Sequence, residues 1–251
     1  MYCMEGSMNV KARKNGTLVS IILVGIIVLC TYSLPAINNL VKKQSVITVI
    51  SNEYINSILI YQVVTLALAA LLIFLLFLSR RTSFRKYFSL GKINARAETE
   101  KIIGLYPKEH ENWIHIGLNF TVLISLVSGI VIFFQVIRNN SVNHDNLAYI
   151  PFIFLFALMN SFTEEMITRF GVVVALDEIL PKKGICAISA FIFGSVHYFS
   201  TPGGILGVLL AGFLGWLLSK SIIETKGIFW SWVIHCVQDI IIYTGLFFVM
   251  L

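Results

Sequence analysis

Two adjacent glutamates and an arginine interrupt an otherwise apolar stretch in the second half of the chain. Glu164, Glu165 and Arg169 lie in the run Ser161-Phe-Thr-Glu-Glu-Met-Ile-Thr-Arg-Phe170. On insertion scales, three charges in a helix at bilayer depth cost about 8 to 10 kcal/mol, which is comparable to the whole insertion gain of an apolar helix. Such a helix is stable in a membrane only if its charges have partners or a water-filled cavity. Ionisable groups at this depth therefore indicate a functional site.

The composition places the whole chain in a membrane. Of its 251 residues, 57% are hydrophobic and 13% are charged, and the mean hydropathy is +0.83. Soluble domains usually contain about 25% charged residues. The hydropathy pattern predicts seven spans, near 18–37, 58–78, 114–137, 147–176, 184–198, 203–219 and 228–251, and the fourth is long enough to be two helices joined near Asn160. We therefore expect an all-α polytopic membrane protein with seven or eight transmembrane helices around an intramembrane cavity.

The basic residues predict the orientation. If alternate connections face the cytoplasm, fifteen of the nineteen Lys and Arg residues fall on that side, against three outside and one, Arg169, within a span. This bias follows the positive-inside rule and predicts a cytoplasmic N-terminus. The net charge of +6 then reflects topology and requires no nucleic-acid partner. The basic segment between Arg80 and Glu111 is either an amphipathic stretch along the inner leaflet or a solvated loop.

Two further motifs place histidines in apolar spans. Phe193-Gly-Ser-Val-His197 ends the fifth span, and His235-Cys-Val-Gln-Asp239 in the last span puts an imidazole and a carboxylate at i and i+4, on one helix face. At 1.5 Å per residue from the predicted cytoplasmic ends, Glu164 and His197 lie about 20 Å deep and His235 about 12 Å deep. Each group would be costly to bury without a partner. We therefore expect these side chains to converge in one cavity.

The spacing within the first motif separates the two glutamates. Glu165 and Arg169 are at i and i+4, which is the favoured order for an ion pair, whereas Glu164 is rotated by about 100° around the helix. We predict that Arg169 neutralises Glu165 and leaves Glu164 free to face the cavity.

The three motifs, Glu-Glu-x-x-x-Arg, Phe-x-x-x-His and His-x-x-x-Asx in this order on successive membrane helices, resemble those of the CPBP family. This family comprises the CAAX protease and bacteriocin-processing (Abi) intramembrane endopeptidases. The resemblance covers about residues 160–240 and divides the chain into an N-terminal transmembrane region with a basic cytoplasmic loop, residues 1–145, and a catalytic transmembrane core, residues 146–251. It implies an α-helical membrane fold around a conical cavity, and peptide-bond hydrolysis.

The resemblance also implies roles for the motif residues. Glu164 is the expected general base, holding a water together with His197, while His235 and Asp239 line the oxyanion side or complete a metal site. His197, His235 and Asp239 suit a zinc ion by type, and a metal-free glutamate mechanism is left open. Some relatives have Asn where this chain has Asp239. Because an ionised Asp cannot donate to an oxyanion, this difference favours a role in orienting His235 or contacting a cation, and it leaves open that Asp239 stays protonated in a dry site.

These observations predict an intramembrane endopeptidase of the CAAX prenyl endopeptidase type in a prokaryotic cell membrane. Its substrate would be a membrane-bound or lipidated peptide, such as a peptide pheromone or a bacteriocin-type leader, bound in contact with membrane lipid. The alternative is a non-proteolytic immunity factor or regulator that binds a membrane partner such as a sensor kinase. The intact Glu164, His197 and His235 favour the enzyme. The sequence has no His-Glu-x-x-His, Gly-x-Ser-x-Gly or Gly-x-Gly-Asp motif, so other protease classes are not indicated.

Overall fold

The computed structural model describes residues 2–43, 47–138, 140–142, 144–200 and 203–250, with side chains from residue 16 onward except for 144–146 and 250. These residues form α-helices and short 3-10 and π-helical turns, without a β-strand, so the all-α polytopic fold is confirmed. The α-helices are α1 Tyr2–Lys43, α2 Glu53–Ser79, α3 Arg81–Tyr87, α4 Trp113–Ile132, α5 Ile150–Glu165, α6 Gly171–Leu176, α7 Lys182–Val196, α8 Gly204–Thr225 and α9 Phe229–Met250.

Within the described residues, six helical segments are long and apolar enough to cross a bilayer. They are Gly16–Lys43, Glu53–Ser79, Trp113–Ile137, Leu147–Leu176, Gly204–Thr225 and Phe229–Val249. Helix α7 accounts for the difference from the seven predicted spans, because its 15 residues extend only about 22 Å, less than the roughly 30 Å of a hydrocarbon core. The fourth span is one continuous helical segment, in which the π-helical turn Met166–Phe170 joins α5 to α6.

The packing of the helices brings the three motifs together. Helix α9 packs against both α4 and α5, and α2 also packs against α5. Helix α7 packs closely on α8, because a Cβ atom at Gly215 would lie 2.7 Å from Cα of Ala190, and one at Gly194 would lie 2.8 Å from the carbonyl oxygen of Val208. Only glycine allows this approach. The contact fixes the C-terminal end of α7, where His197 lies.

The basic segment, residues 80–112, contains α3 and packs as a folded cap on one end of the helix bundle, and its position along the inner leaflet stays a prediction. The backbone N–H of Lys92 donates to the carbonyl of Thr225 at 2.7 Å, and Nε1 of Trp230 donates to the carbonyl of Ile93 at 2.8 Å. Both contacts join the cap to the adjoining ends of α8 and α9. We call residues 80–112 the cap.

Ion pairs join the cap to the neighbouring helix ends. Asp177, just after α6, accepts hydrogen bonds from Nζ of Lys86 at 2.8 Å and from the hydroxyl of Tyr87 at 2.6 Å. Burial alone would raise the pKa of the Asp177 carboxyl, but these two hydrogen bonds, together with the charges of Lys86 and Lys226, outweigh it and hold the pKa below its ordinary value. The other pairs at this end are Arg80 with Glu178, Lys182 with Glu98, Lys183 with Glu100, and the buried Lys220 with Glu224. The cap and the basic ends of α7 and α8 therefore lie on the same side of the bundle.

Candidate intramembrane active site

A cavity of about 320 Å³ lies between the helices that carry the motifs. Glu164, His197, His235 and Asp239 line it together. Much of the remaining wall is apolar and comes from α4, α8 and α9: Leu123, Ile124, Val127, Val131, Ile132, Leu210, Ala211, Phe213, Leu214, Ile242 and Leu246. The structure thus brings four of the six predicted site residues to one cavity. The other two, Glu165 and Arg169, are fully buried behind its wall.

Glu165 has both carboxylate oxygens occupied. Its Oε1 lies 2.7 Å from Nδ1 of His235 and 3.2 Å from Nη1 of Arg169. Its Oε2 accepts a hydrogen bond from the hydroxyl of Ser231. The ion pair predicted from the i and i+4 spacing is therefore present. Glu165 thus binds His235, Arg169 and Ser231 at once, and each of its carboxylate oxygens has a partner.

Arg169 lies in the π-helical turn Met166–Phe170 that follows the two glutamates. Single π-helical turns inside α-helices often occur at functional sites. The Arg169 guanidinium carbon lies 3.4 Å from the centre of the Phe193 ring, and its Nη1 donates to Oγ1 of Thr168 at 2.8 Å. The hydroxyl of Ser189 donates to the carbonyl of Thr168 at 2.8 Å. The turn is therefore fixed by contacts with α7, including stacking of a cation on an aromatic face.

Glu164 has a different environment from Glu165, although the two are adjacent in sequence. Its side chain is 17% exposed, against 0% for Glu165. Among the described residues it forms no ion pair with Lys or Arg. Its neighbours are Nε2 of His235 at 3.6 Å and Nδ2 of Asn160 at 3.3 Å. The carboxylate of Glu164 thus faces the cavity with imidazole and amide neighbours, and without a Lys or Arg partner among the described residues.

The contacts of the two histidines determine where their protons lie. Nδ1 of His197 lies 2.8 Å from the carbonyl oxygen of Phe193. Because a carbonyl only accepts hydrogen bonds, this nitrogen carries the proton, and Nε2 of neutral His197 has a free lone pair. Nδ1 of His235 likewise donates to Glu165, and its Nε2 lies 3.6 Å from Glu164 and 3.7 Å from Asp239. Each ring is therefore oriented through Nδ1.

Four polar residues of this network were missed by the sequence analysis. Asn160 donates to Oδ2 of Asp239 at 3.0 Å and also reaches Glu164. Gln62 of α2 donates to Asn160 and to the hydroxyl of Tyr243, and Ser231 donates to Glu165. A lone amide such as Gln62 in an apolar span is a recognisable signal, since buried polar groups in membranes require partners.

The predicted zinc ligands fit a metal only in part. Both histidines have Nδ1 held by an oxygen, which is the usual support of a metal-binding imidazole. The spacing does not fit, because no group of three His, Cys, Asp or Glu side chains in the described part of the chain is arranged to hold a metal ion. A zinc site at His197, His235 and Asp239 stays a prediction.

The comparison with protein families agrees with the three motifs. Residues 146–241 match a family model described as type II CAAX prenyl endopeptidase, Rce1-like. All six predicted site residues lie within this segment, and the resemblance found from the motifs is confirmed for it. No curated protein and no solved structure matches the chain. The division of the chain at residue 145 stays a prediction, and α2 from the first part contacts the second part through Gln62.

Proposed function

From the premise that residues 146–241 form a domain of the CAAX prenyl endopeptidase family, we propose that this protein is an intramembrane endopeptidase. It hydrolyses a peptide bond in a membrane-bound or lipidated substrate. The observation that supports this function best is the contrast between Glu164 and Glu165. Glu165 has both oxygens occupied, whereas Glu164 faces a cavity of about 320 Å³. A carboxylate held at this depth without a Lys or Arg partner in the described part of the chain supports a functional role for it.

In the proposed reaction, Glu164 is the general base. A water molecule hydrogen-bonds to the Glu164 carboxylate and to the free lone pair on Nε2 of His197. As its oxygen attacks the substrate carbonyl carbon, the water gives a proton to Glu164. The protonated Glu164 then passes this proton to the leaving nitrogen as the C–N bond breaks. The products are a new carboxyl terminus and a new amino terminus.

His235 is the proposed donor to the developing oxyanion. Glu165 accepts a hydrogen bond from Nδ1 of His235, with an N···O distance of 2.7 Å. This contact holds the ring with Nε2 directed at the cavity. Because Nδ1 already carries a proton, Nε2 donates to the oxyanion only when His235 is the doubly protonated cation, and loss of such a contact typically lowers kcat about 10²- to 10³-fold. Asp239 cannot donate when ionised. Its proposed role is to orient His235, whose Nε2 lies 3.7 Å from Asp239 Oδ1.

The cavity wall supports a lipidated or apolar peptide as substrate. Apart from the polar residues at its base, the wall consists mainly of aliphatic and aromatic side chains from α4, α8 and α9. Burial of apolar groups against such a wall is favourable, by about 25 cal/mol per Å². A prenylated tail is the substrate class named in the family description. A peptide pheromone or a bacteriocin-type leader is a second proposed class.

We also propose that the protein spans a prokaryotic cell membrane with its cap and N-terminus in the cytoplasm. The cap contributes Arg80, Arg81, Arg85, Lys86, Lys92, Arg96, Lys101 and Lys108 to one side of the bundle. The basic start of α7 binds the same cap, through Lys182 with Glu98 and Lys183 with Glu100. An excess of Lys and Arg on one side supports a cytoplasmic location for that side.

Comparing the peptides released by membranes that contain wild type, Glu164→Gln or Glu98→Gln protein tests the function. Glu98 is the matched control, because its side chain is 60% exposed in the cap. Mass spectrometry should detect peptides released by wild type and Glu98→Gln but not by Glu164→Gln. Identical peptides from all three would contradict the proposal and favour the regulator that binds a membrane partner.

A further inference from the structure

One amide from outside the cavity wall reaches the intramembrane network. Gln62 is 0% exposed and lies in α2, a helix that contributes no residue to the lining of the cavity. Its Nε2 donates to Oδ1 of Asn160 at 3.3 Å and to the hydroxyl of Tyr243 at 2.8 Å. Asn160 and Tyr243 both line the cavity. Gln62 therefore connects α2 to α5 and α9 at the depth of the site.

Asn160 bridges the two carboxylates that face the cavity. It lies one helical turn before Glu164, and its Nδ2 reaches Oε1 of Glu164 at 3.3 Å and Oδ2 of Asp239 at 3.0 Å. An amide nitrogen has two hydrogens to donate, so one is available for each carboxylate. Its oxygen accepts the hydrogen bond from Gln62.

The direction of these hydrogen bonds is determined by the carboxylates. Ionised carboxylates only accept, so the NH₂ group of Asn160 must face Glu164 and Asp239. Its oxygen must then face Gln62, which is required to donate. A reversed Asn160 amide would bring an oxygen against two negative groups. Gln62 thus supplies the hydrogen that the Asn160 oxygen accepts when its nitrogen faces the two carboxylates.

We infer that Asn160, oriented by Gln62, is a positioning residue that holds Glu164 and Asp239 in their places around His235. The inference rests on the proposed function, because it assigns Asn160 to the geometry of the catalytic base. If Asn160 no longer supplies its two hydrogens, Glu164 and Asp239 lose their common partner. Glu164 is then free to turn away from the water. A displacement of about 1 Å at a reacting group can lower the rate 10²-fold.

A purely packing role for Asn160 makes a different prediction. Asp has nearly the same shape as Asn, so Asn160→Asp would keep the packing while Asn160→Leu would disturb it. If Asn160 acts as a hydrogen-bond donor, the expected order of activity of the two variants changes. Even protonated Asp supplies one hydrogen where the amide supplies two, and ionised Asp adds a third carboxylate to the group. Asn160→Asp should then be no more active than Asn160→Leu.

The test uses the full-length protein in proteoliposomes and a farnesylated peptide with a Cys-aliphatic-aliphatic-X tail between a fluorophore and a quencher. The variants are Asn160→Asp, Asn160→Leu and Gln62→Leu. The matched control is Thr65→Val, because Thr65 is equally buried on α2 and its hydroxyl bonds only to backbone of its own helix. We expect kcat to fall about 10²-fold in the three variants with KM within twofold of wild type, and to stay unchanged in the control.

Wild-type kcat in Asn160→Asp or Gln62→Leu would overturn the inference while leaving the proposed function intact. A fall in kcat in Thr65→Val equal to that in Gln62→Leu would also overturn it, because it would point to a general disturbance of α2. If the wild type cleaves the probe no faster than Glu164→Gln, the proposed function is contradicted and the inference falls with it.

Discussion

The cap and the cavity both contain buried charges, but they balance them differently. At the end of α8 beside the cap, Lys220 lies against Glu224 and both side chains are at most 6% exposed. Asp177 likewise has Lys86 as a direct partner. In the cavity, Glu164, Glu165 and Asp239 surround one imidazole, and the only guanidinium among the described residues there, Arg169, is paired with Glu165. The buried charges at the end that carries the cap are therefore paired, whereas the cavity has an excess of carboxylate.

This difference separates structural charge from functional charge. A buried pair is retained when each ion satisfies the other, and it then serves packing and specificity. An unpaired carboxylate has a desolvation cost that no neighbour in the protein removes. In the described part of this molecule, Glu164 and Asp239 are such groups, and both lie beside amide and imidazole groups rather than Lys or Arg. Stability alone gives no reason to maintain them, whereas a general base needs a carboxylate free to accept a proton.

The side of the membrane on which the cap lies should give the largest experimental effect, because cysteine labelling should be all or none. In a variant whose four native cysteines are replaced, a cysteine at Lys108 in the cap should react with an impermeant maleimide only in inverted or permeabilised membranes. One at Asn140 should react from outside intact cells. Both positions are exposed. Labelling of the Lys108 position in intact cells would reverse the proposed orientation.

Glu165→Gln should reduce the amount of folded protein. The change leaves Arg169 buried with no carboxylate at 3.2 Å, and breaking a buried pair typically costs about 3 to 5 kcal/mol. Abundance in membranes and melting temperature in detergent should both fall, together with activity. Glu164→Gln is the matched control, because it makes the same chemical change one residue earlier and should leave abundance unchanged. Equal abundance of the two variants would show that the glutamates do not have separate roles.

Asp239→Asn distinguishes a metal-linked from a metal-free site. If Asp239 is a ligand, exchanging its charged oxygen for a neutral one should weaken metal binding about 10- to 100-fold, and added zinc should restore activity. If the site works without metal, Asn supplies a donor that ionised Asp lacks, so activity should be kept or raised and chelators should have no effect. Activity measured with zinc and with a chelator decides between the two.

Asp177→Asn should give a small effect that depends on pH. The pKa of Asp177 is lower in the folded than in the unfolded chain, so its contribution to stability is present above about pH 4 and is lost as the pH falls through the folded pKa. The melting temperature of the variant should be lower than that of wild type at pH 7 and should approach it under acidic conditions. A constant difference across this range would contradict the assignment.

The features that depend on local spacing could be predicted from the sequence. The i and i+4 separation of Glu165 and Arg169 predicted their ion pair, and the cost of isolated intramembrane charges predicted that Glu164, His197, His235 and Asp239 would line one cavity. Both follow from rules that act within one helix or on one desolvated group.

Contacts between distant helices could not be predicted in this way. Gln62 and Asn160 are 98 residues apart, and their hydrogen bond depends on how α2 packs against α5. The cap lacks the hydrophobic periodicity that identifies a fold element, so its burial of Tyr87 and its ion pairs were not foreseen. Helix α7 was predicted as a full span because its composition is apolar, although its length is 15 residues.

The most direct measurement follows oxygen from labelled water into the cleaved bond. Wild type and Glu164→Gln protein in proteoliposomes are incubated with the farnesylated peptide in H₂¹⁸O, and the products are analysed by mass spectrometry. If Glu164 activates water, the wild type should introduce one ¹⁸O into each new carboxyl terminus, and Glu164→Gln should form product at least about 10²-fold more slowly. Product formation at the wild-type rate by Glu164→Gln, or ¹⁸O recovered in the Glu164 side chain instead of the product, would contradict its role as the base.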